Sequence, residues 1–290
     1  MQLCAKDLSS PKTSHDKQRL DTLIVERGQV ESRERAKQLI RDGEVLVDGQ
    51  PHLKPGQTVS THAKIEIKQS LRYVGRGGLK LEKALHSFDV DVRDKVAIDA
   101  GASIGGFTDC LLQHGAKFVY AVDVGSDQLA HCLRHDPRVC SIERTNIRTI
   151  NPNLFGHPIQ VGVIDVSFIS LQKVLPVVMQ RVEPTGDLIA LVKPQFEAGR
   201  KAVGKRGIVR DAQIHIKVIE ALAQFVHNIN GCVMGITHSP IREPRGNIEY
   251  FLWLRQDTAV FQPVWKDCIT QVVQHAHEAL NREANHPKSG

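Results

Sequence analysis

The chain has 290 residues, of which 41% are hydrophobic and 24% charged, a composition typical of globular proteins and unlike that of disordered ones. No apolar run approaches the roughly eighteen residues needed to cross a bilayer, and the polar start MQLCAKDLSSPKTSHDKQ lacks a signal-peptide core, so we expect a cytoplasmic protein without a membrane partner. The net charge is +6, and residues 1–80 hold most of it, with 15 Lys and Arg against 10 Asp and Glu. This local excess favours a polyanion such as nucleic acid as the binding partner, although a solvated charged face has the same composition.

Six cysteines are scattered along the chain without a single C-x-x-C pair. Such spacing predicts neither a zinc ribbon nor a disulfide framework. We therefore expect reduced, mostly buried thiols and no metal site.

The first predicted elements follow a tail, residues 1–18, that carries few apolar anchors. RLDTLIVERGQV places Leu20, Leu23 and Ile24 on one side of a short helix that ends at Gly28. The second helix lies in RERAKQLIRDG, where the apolar residues face inward and four basic residues face out: Arg33, Arg35, Lys37 and Arg41. EVLV and KIEIK then alternate as strands, with a hairpin turn at Asp48-Gly49.

This order of elements, over residues 19–68, resembles the alpha-L RNA-binding motif shared by a small-subunit ribosomal protein and several RNA-modifying enzymes. The resemblance implies a small α+β RNA-binding domain. It also implies that the second helix lays its basic side chains on RNA phosphates, contacts that position the RNA without reading its sequence. A solvated charged face remains the alternative for each of Arg33, Arg35, Lys37 and Arg41.

Residues 69–78, QSLRYVGRGG, are predicted as a glycine-bearing linker to a helix that runs from about Leu79 to Phe88. Lys80 lies at the start of that helix. By itself, a lysine in a first helical turn is usually only solvated.

From Lys95 onward, apolar strands alternate with helices, which predicts an α/β fold with a doubly wound, mostly parallel sheet of seven strands. The last two strands are close in sequence and should pair antiparallel at one edge. This second domain is expected over residues 79–260, and a C-terminal helix and tail over 261–290. The predicted strands are 95–100, 117–123, 139–143, 160–166, 187–193, 232–238 and 248–255, and the helices are 105–114, 127–134, 171–181 and 211–228.

The stretch VAIDAGASIGGFTDC, from Val96 to Cys110, reads as a buried strand that runs into a glycine-rich turn and a helix. A nucleotide-like ligand would fit there, although an ordinary tight strand-to-helix connection has the same pattern. Asp123 ends the next strand at the spacing of an acidic residue that binds ribose hydroxyls. GASIGG is not G-x-G-x-x-G, so a dinucleotide fits less well than S-adenosyl-L-methionine, which has a ribose and no phosphate.

Two charged residues directly follow apolar strands: Asp165 after VGVI and Lys193 after DLIALV. Because such residues point into the crevice at the strand ends, we expect a functional role for both, with a surface strand-end position as the alternative. Glu249 precedes the aromatic strand YFLWL. Asn146 follows the third strand, where it could contact an adenine or simply form a turn.

Lys80, Asp165, Lys193 and Glu249, in that chain order, resemble the Lys-Asp-Lys-Glu tetrad of the FtsJ-like ribose 2′-O-methyltransferases. Further segments, among them DAGASIGGFTDC, DVSFISL, LVKPQFEAGR and SPIREPRGNIEYF, are similar to those of the TlyA, or haemolysin A, family of rRNA methyltransferases. The resemblance covers residues 19 to about 256. One departure is Ala100, where a β-branched Val is expected, and it affects packing more than binding.

The resemblance implies a Rossmann-like domain that transfers a methyl group from S-adenosyl-L-methionine to a ribose 2′-hydroxyl, expected to be that of a cytidine, in ribosomal RNA or a ribosomal subunit. Lys193 is the implied base, which must be neutral to act, and Lys80 supplies a second positive charge. Glu249 is implied to orient a lysine, and Asp165 to face both Lys193 and the sulfonium. The implied cofactor site comprises Asp99, Gly101, Ala102, Ser103, Gly105, Gly106, Phe107, Asp123, Asn146 and Asp165.

The loop FEAGRKAVGKRGIVRD, residues 196–211, follows the strand that bears Lys193 and carries four basic residues expected to bind RNA: Arg200, Lys201, Lys205 and Arg206. A mobile solvated loop is the alternative. Three rival functions also stay open at this point: a non-catalytic ribosome-assembly factor, a small-molecule methyltransferase and a haemolysin. The oligomeric state and the target nucleotide are left open by the sequence.

Overall fold

The protein is described by a computed structural model, which covers residues 16–30, 32–41, 43–52, 54–67, 72–204, 207–256 and 265–285. Contacts divide the chain into two compact units, Met1–Ser70 and Leu71–Gly290. Residues 1–15 of the predicted tail lie outside the described residues, and so do the basic residues Lys205 and Arg206.

The part of the front unit that the structure describes contains two helices and two small sheets. β1 pairs antiparallel with β4, and β2 lies between β3 and β5. The predicted hairpin turn is confirmed, since Asp48 and Gly49 both have positive φ and join β2 to β3. The elements are β1 (Lys17–Arg19), α1 (Leu20–Glu26), α2 (Arg33–Arg41), β2 (Val45–Val47), β3 (Gln50–Pro51), β4 (Thr58–Ser60) and β5 (Ile65–Ile67).

The core of the front unit forms where the sequence predicts it. Leu20, Leu23 and Ile24 of α1 are buried, as are Ala36, Leu39 and Ile40 of α2. The start of α2 is capped by the side chain of Ser32, whose Oγ accepts a hydrogen bond from the backbone N–H of Arg35 at 3.1 Å.

One charged group, Asp21, is fully buried in this unit. It accepts hydrogen bonds from Arg19, at 2.8 and 3.0 Å, and from Nε of Arg33 at 3.2 Å. Burial alone would raise the pKa of Asp21, but the hydrogen bonds from the two guanidinium groups outweigh it and lower the pKa to about 2. The carboxylate therefore joins the strand before α1 to the first turn of α2.

The second unit is a seven-stranded sheet with helices on both faces, so the predicted α/β fold class is confirmed. Its strand order is β11-β12-β10-β9-β6-β7-β8. The strands are β6 (Val96–Ala100), β7 (Phe118–Val122), β8 (Val139–Ile142), β9 (Ile159–Ile164), β10 (Val182–Val192), β11 (Cys232–His238) and β12 (Tyr250–Arg255); the helices are α3 (Arg76–Phe88), α4 (Gly106–Gln113), α5 (His131–Arg134), α6 (Leu175–Met179), α7 (Pro194–Glu197), α8 (Ala212–Asn228) and α9 (Trp265–Asn285).

The chain reverses its direction of winding between β6 and β9. β7 and β8 are added on one side of β6, and β9 and β10 on the other, all in parallel. Such a reversal leaves a crevice at the carboxyl ends of the two central strands. β12 is antiparallel to both β10 and β11, so its first residues reach that same edge of the sheet.

The two faces of the sheet bury separate hydrophobic clusters, because neighbouring strand residues point to opposite sides. Ile98 and Ala100 of β6 belong to the cluster covered by α6, α8 and α9, whereas Ala97 belongs to the cluster covered by α3 and α4. Asp99 shares the side of Ala97, which directs its carboxyl group toward α4.

Several predicted boundaries differ from the observed ones. α3 begins at Arg76, within the predicted linker, and α5 is only one turn long. The helix predicted over 171–181 is a 3-10 turn, Leu171–Lys173, followed by α6, because Pro176 at the start of α6 has no backbone N–H to continue the first turn. β10 begins at Val182, five residues earlier than predicted. Its register with β9 shifts between Val182 and Asp187.

Asp21→Asn removes the buried charge of the front unit and keeps the side chain's shape. The pKa of Asp21 is lower in the folded protein than its value of 3.8 in the unfolded chain. The ionised carboxylate therefore stabilises the fold fully at pH values above 3.8, and this stabilisation is lost as the pH falls through about 2. We expect the variant to be less stable by about 1–2 kcal/mol at neutral pH, and the difference to vanish toward pH of about 2.

Urea titrations followed by the NMR signals of residues 20–41 would measure this difference. Glu34→Gln, which alters an exposed carboxylate of α2 in the same unit, is the control and should show little effect. A difference that stays constant across the acid range would contradict the role of the Asp21 charge.

Candidate active site

The glycine turn after β6 depends on backbone conformations that favour glycine. Gly101 and Gly105 have φ of +92° and +98°, and Ser103 between them has φ of +49°. A Cβ atom on Gly101 would lie 2.4 Å from the carbonyl oxygen of Asp165, so the end of β6 approaches the end of β9 within backbone contact. Gly106 allows a similar approach of α4 to α3, since its Cβ would lie 3.1 Å from Cα of Gly77.

Asp123 directly follows β7 and is held by the turn itself. Its Oδ2 accepts the backbone N–H of Ser103 at 2.8 Å, and its Oδ1 accepts that of Gly125 at 2.7 Å. Each oxygen keeps a further lone pair for a ligand hydroxyl. The predicted ribose-binding residue is thus positioned beside the turn.

Two of the predicted cofactor residues also make contacts within the protein. Asp99 is fully buried, and its Oδ2 accepts the hydroxyl of Thr108 at 2.7 Å; burial raises its pKa to about 7, against the hydrogen bond from Thr108. Phe107 is buried against Phe251, with ring centroids 6.1 Å apart, because the second position of α4 faces the sheet. The Phe107 side chain therefore packs in the core, and a contact of either residue with the cofactor stays a prediction.

Asn146 uses its side chain locally. Its Oδ1 accepts the backbone N–H of Arg148 at 3.1 Å and begins the 3-10 turn Ile147–Thr149. This is the turn-forming role that the sequence left as the alternative. Ala102, in the glycine turn, is buried as well, so only the backbone of that residue can meet a ligand.

The predicted tetrad is brought together as two ion pairs. In the first, Nζ of Lys80 donates to Oε2 of Glu249 at 2.6 Å, with 11% and 1% of the two side chains exposed. Burial lowers the pKa of Lys80, but the charges of Glu249 and Asp165 outweigh it and raise the pKa. Lys80 is therefore held as a cation. Oε1 of Glu249 is buried and has no hydrogen-bond partner in the part of the chain that the structure describes.

In the second ion pair, Nζ of Lys193 lies 2.5 Å from Oδ1 of Asp165 and donates to Oγ of Ser167 at 2.9 Å. Burial would raise the pKa of Asp165, yet the charges of Lys193 and Lys80 outweigh it and lower the pKa. Asp165 thus stays ionised between two lysines. Because it also follows β9 beside Gly101, the carboxylate lies between the glycine turn and Lys193.

A cleft of about 350 Å³ opens beside these residues and is lined by Lys193 and Glu249. Its other lining residues are Ser167, Phe168, Gln195, Phe196, Val203, Gly207, Glu243, Arg245 and Asn247. Its volume is within the range of small-molecule pockets. The two pairs therefore have the glycine turn on one side and an open cleft on the other.

The sequence interpretation missed Phe168 and Ser167, which line that cleft with Lys193. Phe168 is 84% exposed and has φ of +64°, and its ring packs against Phe196 with centroids 5.0 Å apart. An aromatic residue three positions after a strand-end carboxylate could have signalled a ligand surface. Gln195 was missed too; it lines the cleft, and its Oε1 is buried without a partner among the described residues.

The predicted RNA-binding residues have different surroundings in each unit. In the second unit, Arg200 and Lys201 are exposed just after α7. In the front unit, Arg33 and Arg41 are exposed and Arg35 and Lys37 are half-buried. Arg33 donates to buried Asp21 and Lys37 pairs with Glu34 at 3.2 Å, so both also stabilise the unit itself.

Two kinds of feature are absent from the described residues. No group of three or more His, Cys, Asp and Glu side chains there is arranged to hold a metal ion. Nor is any described helix both long and apolar enough to span a membrane.

Comparison with known proteins gives the same two-part division. Residues 73–256 match the FtsJ-like methyltransferase family, and residues 18–65 match the S4 domain. The chain is similar to a candidate rRNA methyltransferase of Bacillus subtilis, YqxC, with 48% identity over 272 residues, 92% of this chain and 96% of the relative. It is similar also to the 16S/23S rRNA (cytidine-2′-O)-methyltransferase TlyA of Mycobacterium tuberculosis, with 44% identity over 242 residues, 83% of this chain and 90% of that protein.

A solved structure shares the architecture. It is that of a hemolysin candidate from Streptococcus thermophilus, with 43% identity and a TM-score of 0.75. The match covers 94% of this chain and all of that one.

Breaking the Lys80–Glu249 pair on one side leaves a buried charge without its partner. We expect Lys80→Met or Glu249→Leu alone to destabilise the second unit by about 3 kcal/mol, and the double variant to regain most of that loss. Thermal denaturation of the two single variants and the double variant would give the coupling energy.

The exposed pair Arg93–Asp91, tested with Arg93→Met and Asp91→Asn, is the control. Its coupling should stay below about 1 kcal/mol. Equal coupling for the two pairs would mean that burial does not set the strength of the Lys80–Glu249 interaction.

Proposed function

The chain belongs to the FtsJ-like methyltransferase family, and on that premise we propose that it transfers a methyl group from S-adenosyl-L-methionine to a ribose 2′-hydroxyl of a cytidine in ribosomal RNA. The observation that carries the proposal is the enclosed set of two lysines and two carboxylates between the glycine turn and an open cleft. The names of the relatives supply the nucleotide and the RNA. The activity belongs in the cytoplasm, where ribosomal subunits occur.

The residues of the glycine turn fit the methyl donor. Segment 99–106 contains no Lys or Arg, which suits a ligand that has a ribose and no phosphate. Gly101 and Ser103 would approach the ligand with their backbone, and Asp123 would accept hydrogen bonds from the ribose hydroxyls. When bound, S-adenosyl-L-methionine supplies a methyl group that its positive sulfonium already activates.

The cleft suits the acceptor nucleotide. Lys193 lines it, and the exposed ring of Phe168 can stack on an unpaired base, as aromatic side chains do in single-stranded RNA recognition. Arg200 and Lys201 would contact phosphates near the cleft. The S4 domain would hold a neighbouring part of the RNA through the basic side chains of α2.

The second ion pair, Lys193 with Asp165, carries out the proton transfer. Lys193 gives up one proton to solvent before the reaction, so that its Nζ can accept the proton of the 2′-hydroxyl while Asp165 and Ser167 fix the position of that nitrogen. Lys80 remains protonated because Glu249 holds it, and its charge stabilises the negative charge that develops on the ribose oxygen. The oxygen–methyl bond forms as the methyl–sulfur bond breaks, and the proton remains on Lys193.

Lys193→Ala removes the proposed base. Methyl transfer to ribosomal RNA should fall by about 10²- to 10⁴-fold, while the affinities for S-adenosyl-L-methionine and for RNA change little. Incubating labelled donor with separated ribosomal subunits, followed by mapping of 2′-O-methylation, measures the first effect, and calorimetry measures the second.

Lys217→Ala, an exposed lysine of α8, is the matched control. Turnover retained by Lys193→Ala would refute the assignment of the base. A wild-type protein that binds RNA without transferring methyl groups would favour a non-catalytic assembly factor.

Charge reversal of Arg200 and Lys201 tests the RNA contact of the loop after α7. The double variant Arg200→Glu, Lys201→Glu should bind RNA more weakly, and the salt dependence of binding should lose about one unit of slope for each phosphate contact removed. Filter binding across a salt series gives that slope. Lys117→Glu, before β7 at the opposite edge of the sheet, is the control; equal slopes in all three proteins would exclude a phosphate contact by the loop.

A further inference from the structure

The loops that follow β9 and β10 are joined by side chains where the backbone pairing of these strands ends. The last paired residues of the two strands are Ile164 and Ala190. Beyond them, Lys193 contacts Asp165 and Ser167, and at the outer end Phe196 packs on Phe168. The acceptor side of the cleft is therefore built from two loops that no sheet hydrogen bond holds together.

Glu197 makes the outermost of these connections. Its Oε1 accepts the backbone N–H of Leu171 at 2.7 Å, and its Oε2 accepts the hydroxyl of Ser170 at 2.7 Å. Both oxygens of one carboxylate thus bind the loop after β9. A charged acceptor with two short hydrogen bonds is among the stronger anchors that a loop can have.

Glu197 and Lys193 lie at the two ends of a single helical turn, α7. The backbone N–H of Phe196 donates to the carbonyl of Lys193 at 2.9 Å, and that of Ala198 donates to the carbonyl of Pro194 at 2.9 Å. Pro194, with its fixed φ, stiffens the first position of the turn. A contact that holds Glu197 therefore restricts the position of Lys193 as well.

Phe168 indicates that the loop after β9 is under strain. A phenylalanine in the left-handed region costs conformational free energy, and an exposed ring recovers little of it by packing. Such a conformation persists only where flanking contacts impose it. The flanking contacts are those of Asp165 and Ser167 with Lys193 on one side, and those of Ser170 and Leu171 with Glu197 on the other.

We propose that Glu197 is a positioning residue for methyl transfer: it clamps the loop after β9 to α7, and thereby keeps Ser167 and Phe168 in register with Lys193. The inference rests on the proposed function, since it assigns Glu197 a part in that reaction. Glu197 does not touch the reacting atoms. It acts through Lys193, Ser167 and Phe168, so its loss should reduce turnover at saturating RNA more than it reduces binding.

The test compares wild type with Glu197→Ala, Glu197→Gln and Ser170→Ala. Gln keeps an oxygen for the Leu171 N–H and a polar group for Ser170, so it should retain at least about a third of the turnover, whereas Ala should lose about 10- to 100-fold in kcat. Ser170→Ala removes one of the two hydrogen bonds to Glu197, together with the 3.2 Å bond that the Ser170 hydroxyl accepts from the backbone N–H of Gln172, and should fall between them. Asp136→Ala, which deletes a carboxylate that accepts the backbone N–H of Arg138 at 2.8 Å before β8, is the matched control and should retain full turnover.

Two measurements separate positioning from a general loss of folding. Hydrogen exchange at the Leu171 amide should accelerate at least about tenfold in Glu197→Ala and stay slow in Glu197→Gln. KM for RNA and the affinity for S-adenosyl-L-methionine should change by less than about threefold in both variants.

The outcomes distinguish this inference from the function on which it rests. An unchanged Leu171 exchange rate, an unchanged kcat in Glu197→Ala, or a parallel loss of donor affinity and melting temperature would overturn the positioning role while the wild type remains active. A wild-type protein without methyl transfer would overturn the proposed function, and the inference with it.

Discussion

The buried ion pair between Lys80 and Glu249 is the interaction on which the site depends. It joins α3, at the start of the second unit, to the residue before β12, and the two partners are 169 residues apart in the chain. Because both charges are enclosed, neither can be moved or neutralised without leaving the other buried and unpaired. The pair therefore fixes how the first helix of the unit meets the edge of the sheet, and it places a permanent positive charge beside Asp165 and Lys193.

That charge explains the division between the two lysines. Lys80 has a carboxylate partner of its own, whereas Lys193 contacts both Asp165 and Ser167 beside a cleft. A cation that stays charged and an amine that accepts a proton are the two functions that the proposed reaction requires. The glycine turn completes the arrangement because Gly101 lets the end of β6 approach the backbone of Asp165.

The sequence predicted the fold class and the strands well because apolar runs bounded by glycine and charged residues report burial directly. Asp165 and Lys193 could be expected in the crevice on the same basis, since each follows a buried strand. The burial of the Phe107 ring could not be predicted, because the side that it faces depends on where α4 begins. Asn146 binds a backbone N–H close to it in the chain, as in the turn that the sequence left open. Glu197 and Phe168 were missed because their partners lie in another loop, and no local pattern encodes that contact.

The position of β12 between β11 and β10 affects the order in which the sheet can form during protein synthesis. β11 is made first, yet its sheet neighbour is β12, which inserts between β11 and β10. Until β12 emerges from the ribosome, β11 cannot join the sheet and Lys80 has no partner. At about 5–20 residues per second, the 169 residues between Lys80 and Glu249 take roughly 10–30 s to translate. The set of two ion pairs can therefore be completed only after residue 249 has been made, and a nascent chain that ends before this residue carries no assembled site.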